Sequence, residues 1–263
     1  VIRVCFYLII LFTIGSGSFS ASGQSIRPIP LNKHYFEIPE EDSLNQVFYK
    51  LVSFTADSTK IERVFTRNNQ INRITRTSPL VDEYQEQTIE QFDADGQLKS
   101  KTTANLANSK FITSYFTNGE QVAQVMYRGE HKYSIFRPGY ESPRQTLEND
   151  FEPRPNEKKS DFGFFLRERT KFSKNEWPSI RHHVVIGVLV DEFGTVKEVV
   201  WANPLGAEKR VADKFLKALQ AWKKGFLPAM DEWGNPVEAW TYYHYRAGGR
   251  IESAQLIINF NRP

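Results

Sequence analysis

Residues 184–201 read VVIGVLVDEFGTVKEVVW, two runs of β-branched side chains separated by an acidic, glycine-containing turn. Val184, Ile186, Val188 and Val190 alternate with Val185, Gly187 and Leu189, a period of two that sends successive side chains to opposite faces of a strand. The run stops at Asp191-Glu192-Phe193-Gly194 and resumes from Val196 to Trp201, which predicts a hairpin closed by a short loop whose Gly takes a positive φ. After Asn203-Pro204-Leu205-Gly206 the period lengthens. Val211, Phe215, Leu219 and Trp222 recur at helical spacing, with Ala212, Leu216 and Ala218 on the same face, so one amphipathic helix lies across the hairpin. Gly225 stops that helix and Phe226-Leu227-Pro228-Ala229 leaves it extended. Trp233-Gly234-Asn235-Pro236 then turns the chain into a third strand, expected from Val237 to Tyr245.

Length and composition frame the rest. The chain has 263 residues, 40 % hydrophobic and 14 % aromatic, enough to build cores, and two domains are expected. Its net charge of +3 comes from 34 basic and 31 acidic residues scattered in both signs, with no run longer than a pair such as Lys158-Lys159 or Lys223-Lys224. That pattern predicts no phosphate-binding face and no nucleic-acid partner. Arg3 precedes an apolar run from Val4 to Ile14, then Gly15, small residues and Ala21-Ser22-Gly23, the layout of a secretory signal peptide. The run is shorter than the ~18 to 20 residues of a spanning helix, so a cleaved signal over 1–23 is expected, with an uncleaved anchor as the alternative. Cys5 is the only cysteine and would leave with the signal, so no disulfide or thiolate site follows.

Between the signal and the valine-rich hairpin, the chain reads as a succession of hairpins. Phe65-Thr66-Arg67-Asn68-Asn69, Phe92-Asp93-Ala94-Asp95-Gly96, Tyr115-Phe116-Thr117-Asn118-Gly119 and Tyr127-Arg128-Gly129 each place an aromatic just before an Asn or Gly turn. A lone hairpin is marginal in water, so these units are expected to pair edge to edge in one antiparallel sheet from about Val47 to Phe136. The proline-bearing segment through Pro138-Gly139 and Pro153 to Lys159 is expected to be a linker. A helix is predicted over Asp161 to Phe172, capped by Asp161.

Two family resemblances rest on these motifs. The order of Trp177-Pro178, a valine strand ending in Asp-x-x-Gly, Val196 to Val200, a helix ending in Trp222, Phe-x-Pro-Ala and Gly-Asn-Pro-Val resembles the C-terminal domain of the energy transducer TonB. This chain departs from the family's pattern with Trp177 in place of the usual Tyr, and with Trp222 farther from Phe226 and Pro228 than is usual. The aromatic-x-x-Asn-Gly hairpins are similar to those of MORN-like and YwqK-type bacterial proteins. Taken with the periods above, the expected class is α+β: an N-terminal antiparallel β-hairpin repeat sheet followed by a small TonB-like β-β-α-β domain. The expected boundaries are 1–23 signal peptide, 24–137 hairpin repeats, 138–160 linker and 161–263 TonB-like domain.

What the TonB resemblance implies is recognition without catalysis. An exposed sheet edge carries unpaired N–H and C=O groups that an extended peptide completes by β-augmentation. In the resembled family the visitor is a short segment of an outer-membrane receptor, bound close to the strand after Gly-x-Pro-Val. Carried onto this chain, the partner-binding candidates are Val237, Ala239, Thr241, Tyr243 and Tyr245, with Trp177 and Pro178 near the other side of the groove. The last apolar run, Gln255 to Phe260, is an equal candidate to occupy that edge.

No catalytic or metal signature competes with this reading. Motifs of the G-x-S-x-G, G-x-x-x-x-G-K and G-x-G-x-x-G types are missing, as is H-x-x-x-H. His182 and His183 are neighbours on a strand and so point to opposite faces, and His244 stands alone among Tyr242, Tyr243 and Tyr245. The expected function is therefore a non-enzymatic, cofactor-free periplasmic or secreted protein that binds an outer-membrane receptor or other envelope protein through an added strand. Alternatives are an inner-membrane-anchored energy transducer, or a hairpin-repeat scaffold in which the sheet itself binds a ligand.

Overall fold

The computed structural model describes residues 27–171, 183–246 and 251–253. Ten strands follow one another in sequence: β1 (Ile29–Leu31), β2 (Phe48–Phe54), β3 (Lys60–Thr66), β4 (Ile71–Thr77), β5 (Glu86–Phe92), β6 (Leu98–Asn105), β7 (Lys110–Thr117), β8 (Glu120–Tyr127), β9 (Tyr133–Phe136) and β10 (Arg144–Thr146). They pair in that order as one antiparallel meander. The sheet expected over residues 47–136 is thus present, and β1 and β10 extend it at its two ends. Its register explains the near-random look of its hydrophobic pattern. Thr75, Ile89, Thr102, Thr113, Val125 and Ile135 stand directly opposite one another across six strands, and all but Thr113 are buried. The threonines satisfy each other there, Thr102 Oγ1 lying 2.8 Å from Thr113 Oγ1. The reverse face carries charged pairs such as Arg76 with Glu90 at 2.6 Å.

The larger aromatics gather at the β6–β9 end. Ala104, Phe111, Tyr115, Ala123, Val125, Tyr127, Tyr133 and Ile135 form a core with Phe151, which is fully buried and stacks on Tyr115 at 4.5 Å. Phe151 belongs to the segment expected as a linker. That segment is built into the structure, with β10 paired to β9 and β11 (Arg154–Pro155) following.

Two helices and the remaining strands complete the chain: α1 (Lys159–Arg169), β12 (His183–Val190), β13 (Val196–Trp201), α2 (Lys209–Gln220), β14 (Phe226–Leu227), β15 (Ala229–Met230), β16 (Pro236–Val237), β17 (Ala239–Arg246) and β18 (Ile251–Ser253). A four-stranded sheet runs β13-β12-β17-β18, while β11 with β14 and β15 with β16 form separate two-stranded ribbons. The valine-rich hairpin is β12 and β13. Val184, Ile186, Val188 and Val190 pack under α2 through Val211, Ala212, Phe215, Ala218 and Leu219, with Phe162 and Leu166 of α1 closing the same core. Burial of this kind contributes about 1.5–3 kcal/mol per large aliphatic or aromatic side chain, which is what holds two short helices to the sheet.

These observations correct the α+β expectation: the chain is mainly β, with eighteen strands and two helices of 11 and 12 residues among the described residues. Its second half is not a simple β-β-α-β unit, because three short strands intervene between α2 and β17 and a fourth sheet strand follows. The physical reason is that helical period occupies only two short stretches, while extended polar connections find backbone partners and become strands. Three boundaries also move. Helix α1 begins at Lys159 with Lys158 as its cap residue, so Asp161 sits in the first turn, where its charge favours the positive helix end. Trp222 lies just beyond α2 and donates from Nε1 to the carbonyl of Gly225 at 3.0 Å. The third strand starts at Ala239, since Val237 pairs with Ala229 in the β15–β16 ribbon.

Candidate strand-docking edge on the four-stranded sheet

β17 is the strand around which the C-terminal sheet is assembled. On one side it pairs with β12 over its whole length, from Ala239 opposite Val190 to Arg246 opposite His183. On the other side β18 pairs with only its far end, Tyr243 opposite Ser253, His244 opposite Glu252 and Tyr245 opposite Ile251. Ala239 to Tyr242 have no strand on that outer side among the described residues. β13 is the opposite edge of the sheet and pairs only with β12.

Alternation along β17 gives its two faces different jobs. Ala239, Thr241, Tyr243 and Tyr245 are all buried. Tyr243 packs against Phe162 at 5.2 Å and Tyr245 stacks on Phe215 at 3.7 Å, so these two side chains belong to the core beneath the helices. Burial raises the phenol pKa of both well above the ordinary tyrosine range, keeping them neutral. A visiting strand would therefore meet the main chain of β17 and not these side chains. Val237 lies in β16, outside the sheet, and Trp177 and Pro178 fall outside the described residues, as does the Gln255 to Phe260 run.

The other face of β17 is covered by a segment that no sequence pattern singled out. Asn32 donates from Nδ2 to the carbonyl of Ala202 at 2.7 Å, and Lys33 bridges to Glu198 of β13 at 3.1 Å. His34 Nδ1 lies 3.0 Å from the Tyr242 hydroxyl, with its ring edge-on to Trp240 at 4.5 Å. Tyr35 then stacks on Phe48 of β2 at 4.7 Å, joining this cover to the ten-stranded sheet. Burial, with a smaller contribution from the Lys33 charge, lowers the His34 pKa to about 4, so the imidazole is neutral at physiological pH. On the same face His183 Nε2 and His244 Nδ1 are 2.8 Å apart, an arrangement in which one ring donates and the other accepts.

Comparison with protein-family models, curated proteins and solved structures finds no match.

The site's chemistry is thus read from its own geometry. Among the described residues no group of three or more His, Cys, Asp and Glu side chains is placed to hold a metal ion. No described helix is long and apolar enough to cross a membrane. What the arrangement offers is a strand held by a core on one face and by Asn32 to Phe36 on the other, with an outer edge that, among the described residues, is paired only by the three residues of β18. The signal that could have pointed to the cover is the cluster Asn32-Lys33-His34-Tyr35-Phe36, five side chains with polar or aromatic contacts to make, set just after a proline-bearing lead.

Proposed function

We propose that this chain is a non-enzymatic envelope protein whose C-terminal sheet accepts an extended segment of a partner protein along the outer edge of β17. The observation that supports it is the uneven pairing of that strand: eight register pairs on the β12 side and three on the β18 side. A partner strand gains main-chain hydrogen bonds at such an edge without any specialised side chain, and the clamped faces mean that little ordering entropy is spent on binding. The resemblance of residues 177–245 to the TonB C-terminal family supports an outer-membrane receptor as the partner class and receptor-linked transport as the process. The apolar run from Val4 to Ile14 supports a periplasmic or secreted location.

Photo-crosslinking tests this. A benzophenone side chain placed at Glu238, exposed immediately before β17, is expected to capture an outer-membrane protein in intact cells, while the same group at Lys217 on the outer face of α2 captures none. Absence of any adduct from position 238, or equal capture from both positions, would sink the proposal.

A further inference from the structure

The ten-stranded sheet carries an open, shallow groove of about 390 Å3 that the strand-docking reading does not use. It lies on the β6–β8 part of the sheet, lined by Tyr84, Thr103, Lys110, Ile112, Met126 and Arg128 among others. Register explains its floor: Thr103 stands opposite Ile112, and Ile112 opposite Met126, so three neighbouring strands present one row on the face away from the buried Phe111 and Tyr127. Tyr84 comes from the loop between β4 and β5 and is held in place by its hydroxyl, which donates to Glu86 at 2.8 Å.

The loop that supplies Tyr84 is itself apolar in part. Leu80 and Val81 are 65 % and 60 % exposed in the same loop as Tyr84, and Leu106 in the β6–β7 loop is tied to it by a hydrogen bond from its N–H to the Gln85 carbonyl at 2.8 Å. Exposed aliphatic groups in the loop that supplies Tyr84 point to a contact surface more than scattered ones do. A tight turn fixes the loop: Asp82 and Glu83 both adopt left-handed backbone, with φ of +48° and +60°, between Val81 and Tyr84, which bond each other's main chain in both directions.

Charge marks one end of the groove. Lys110 and Arg128 are both exposed there, and neither ion-pairs with a carboxylate among the described residues. Glu130, whose charge Lys110 feels, is engaged instead by Lys132 at 2.8 Å. Two cations beside an apolar floor and a tyrosine ring complement a molecule with the opposite layout. We propose that this groove binds an amphipathic small molecule, with a flat apolar body over Ile112 and Met126 beside Tyr84 and an anionic group held by Lys110 and Arg128.

The test is a fluorescence titration of the full chain with 8-anilino-1-naphthalenesulfonate, which has that layout, and with its uncharged analogue N-phenyl-1-naphthylamine. One site is expected for the sulfonate, with the uncharged analogue bound about ten-fold more weakly or worse, the loss typical of one charge-assisted contact. Lys110→Met and Arg128→Met should each weaken the sulfonate by about ten-fold, and Ile112→Lys should abolish binding of both dyes. Phe193→Ala, which removes an 82 % exposed aromatic outside the groove, should leave the titration unchanged. Lys110 and Arg128 are exposed, so their variants keep the native near-ultraviolet circular dichroism against which each titration is read. No saturable binding, equal binding of the two dyes, or loss shared equally by Phe193→Ala overturns the proposal, whatever the crosslinking at β17 shows.

Discussion

Arg137 and Asp150 meet in a two-point ion pair, Nη1 to Oδ2 at 3.1 Å and Nη2 to Oδ1 at 2.9 Å, at the seam between the ten-stranded sheet and the C-terminal half. Both partners also hold the β15–β16 region through the main chain: Arg137 Nε donates to the Asp231 carbonyl at 2.9 Å, and the Met230 N–H donates to the Asp150 carbonyl at 2.7 Å. The guanidinium carbon lies over the Phe151 ring, 4.0 Å from its centroid. One buried arginine therefore ties the end of β9 to a turn 94 residues away.

Removing one member of this pair is expected to be severe. Asp150→Ala leaves a guanidinium that is 2 % exposed without its carboxylate, and the loss should be about 3–5 kcal/mol in urea unfolding. The double variant Arg137→Met with Asp150→Leu should recover much of that loss, because no buried charge remains uncompensated; Arg144, which also pairs with Asp150, is half exposed and is solvated instead. A loss in the double variant equal to the sum of the losses in Arg137→Met and Asp150→Leu alone would show that the pair contributes no coupling.

Stability should fall in mild acid because of His34. Its pKa is about 4 in the folded chain and 6.5 in the unfolded one, so between these values the unfolded state binds the extra proton. The contribution is fully present above pH 6.5 and is lost as pH falls toward 4, by on the order of 2–3 kcal/mol. His34→Gln should flatten that part of the stability profile measured by urea unfolding at a series of pH values.

Two glycines in the same kind of turn should respond differently to alanine. Asp93-Ala94-Asp95-Gly96 and Asp191-Glu192-Phe193-Gly194 close hairpins alike: the Asp Oδ1 accepts from the N–H groups two and four residues on, and φ is +78° at Gly96 and +82° at Gly194. A methyl at Gly96 meets nothing within 4 Å, so Gly96→Ala should cost about 1 kcal/mol for the backbone alone. A methyl at Gly194 would sit 2.1 Å from the Phe226 carbonyl oxygen, so Gly194→Ala should cost at least about 2 kcal/mol more. Thermal unfolding of both variants side by side checks the difference.

The stack of Phe215 on Tyr245 offers a third comparison. Phe215→Ala removes a ring that is 5 % exposed and should cost about 3–5 kcal/mol. Tyr245→Phe keeps the stack while deleting a buried hydroxyl that has no hydrogen-bond partner among the described residues, and should raise stability by about 1 kcal/mol. Denaturant midpoints moving in opposite directions would bear this out.

Much of the local structure was legible. The alternation around Ile186 and Val188 and the helical spacing of Val211, Phe215 and Leu219 predict β12 and α2 because those periods follow from backbone geometry over a few residues. Asp-x-x-Gly was readable for the same reason, since its hydrogen bonds all close within four residues. The α+β class failed because short polar connections such as Arg144 to Thr146 carry no period, and whether they pair depends on a neighbouring strand being there.

The sequence by itself determined the meander, the valine hairpin and the helix that crosses it, since each is set by side chains no more than a turn or a strand apart. The tertiary structure alone decided that Asn32 reaches Ala202 across 170 residues, that Arg137 anchors Asp231, and that β18 covers only part of β17. Such contacts depend on where folded surfaces come to rest, and no local period records the distance between two segments once the chain has closed.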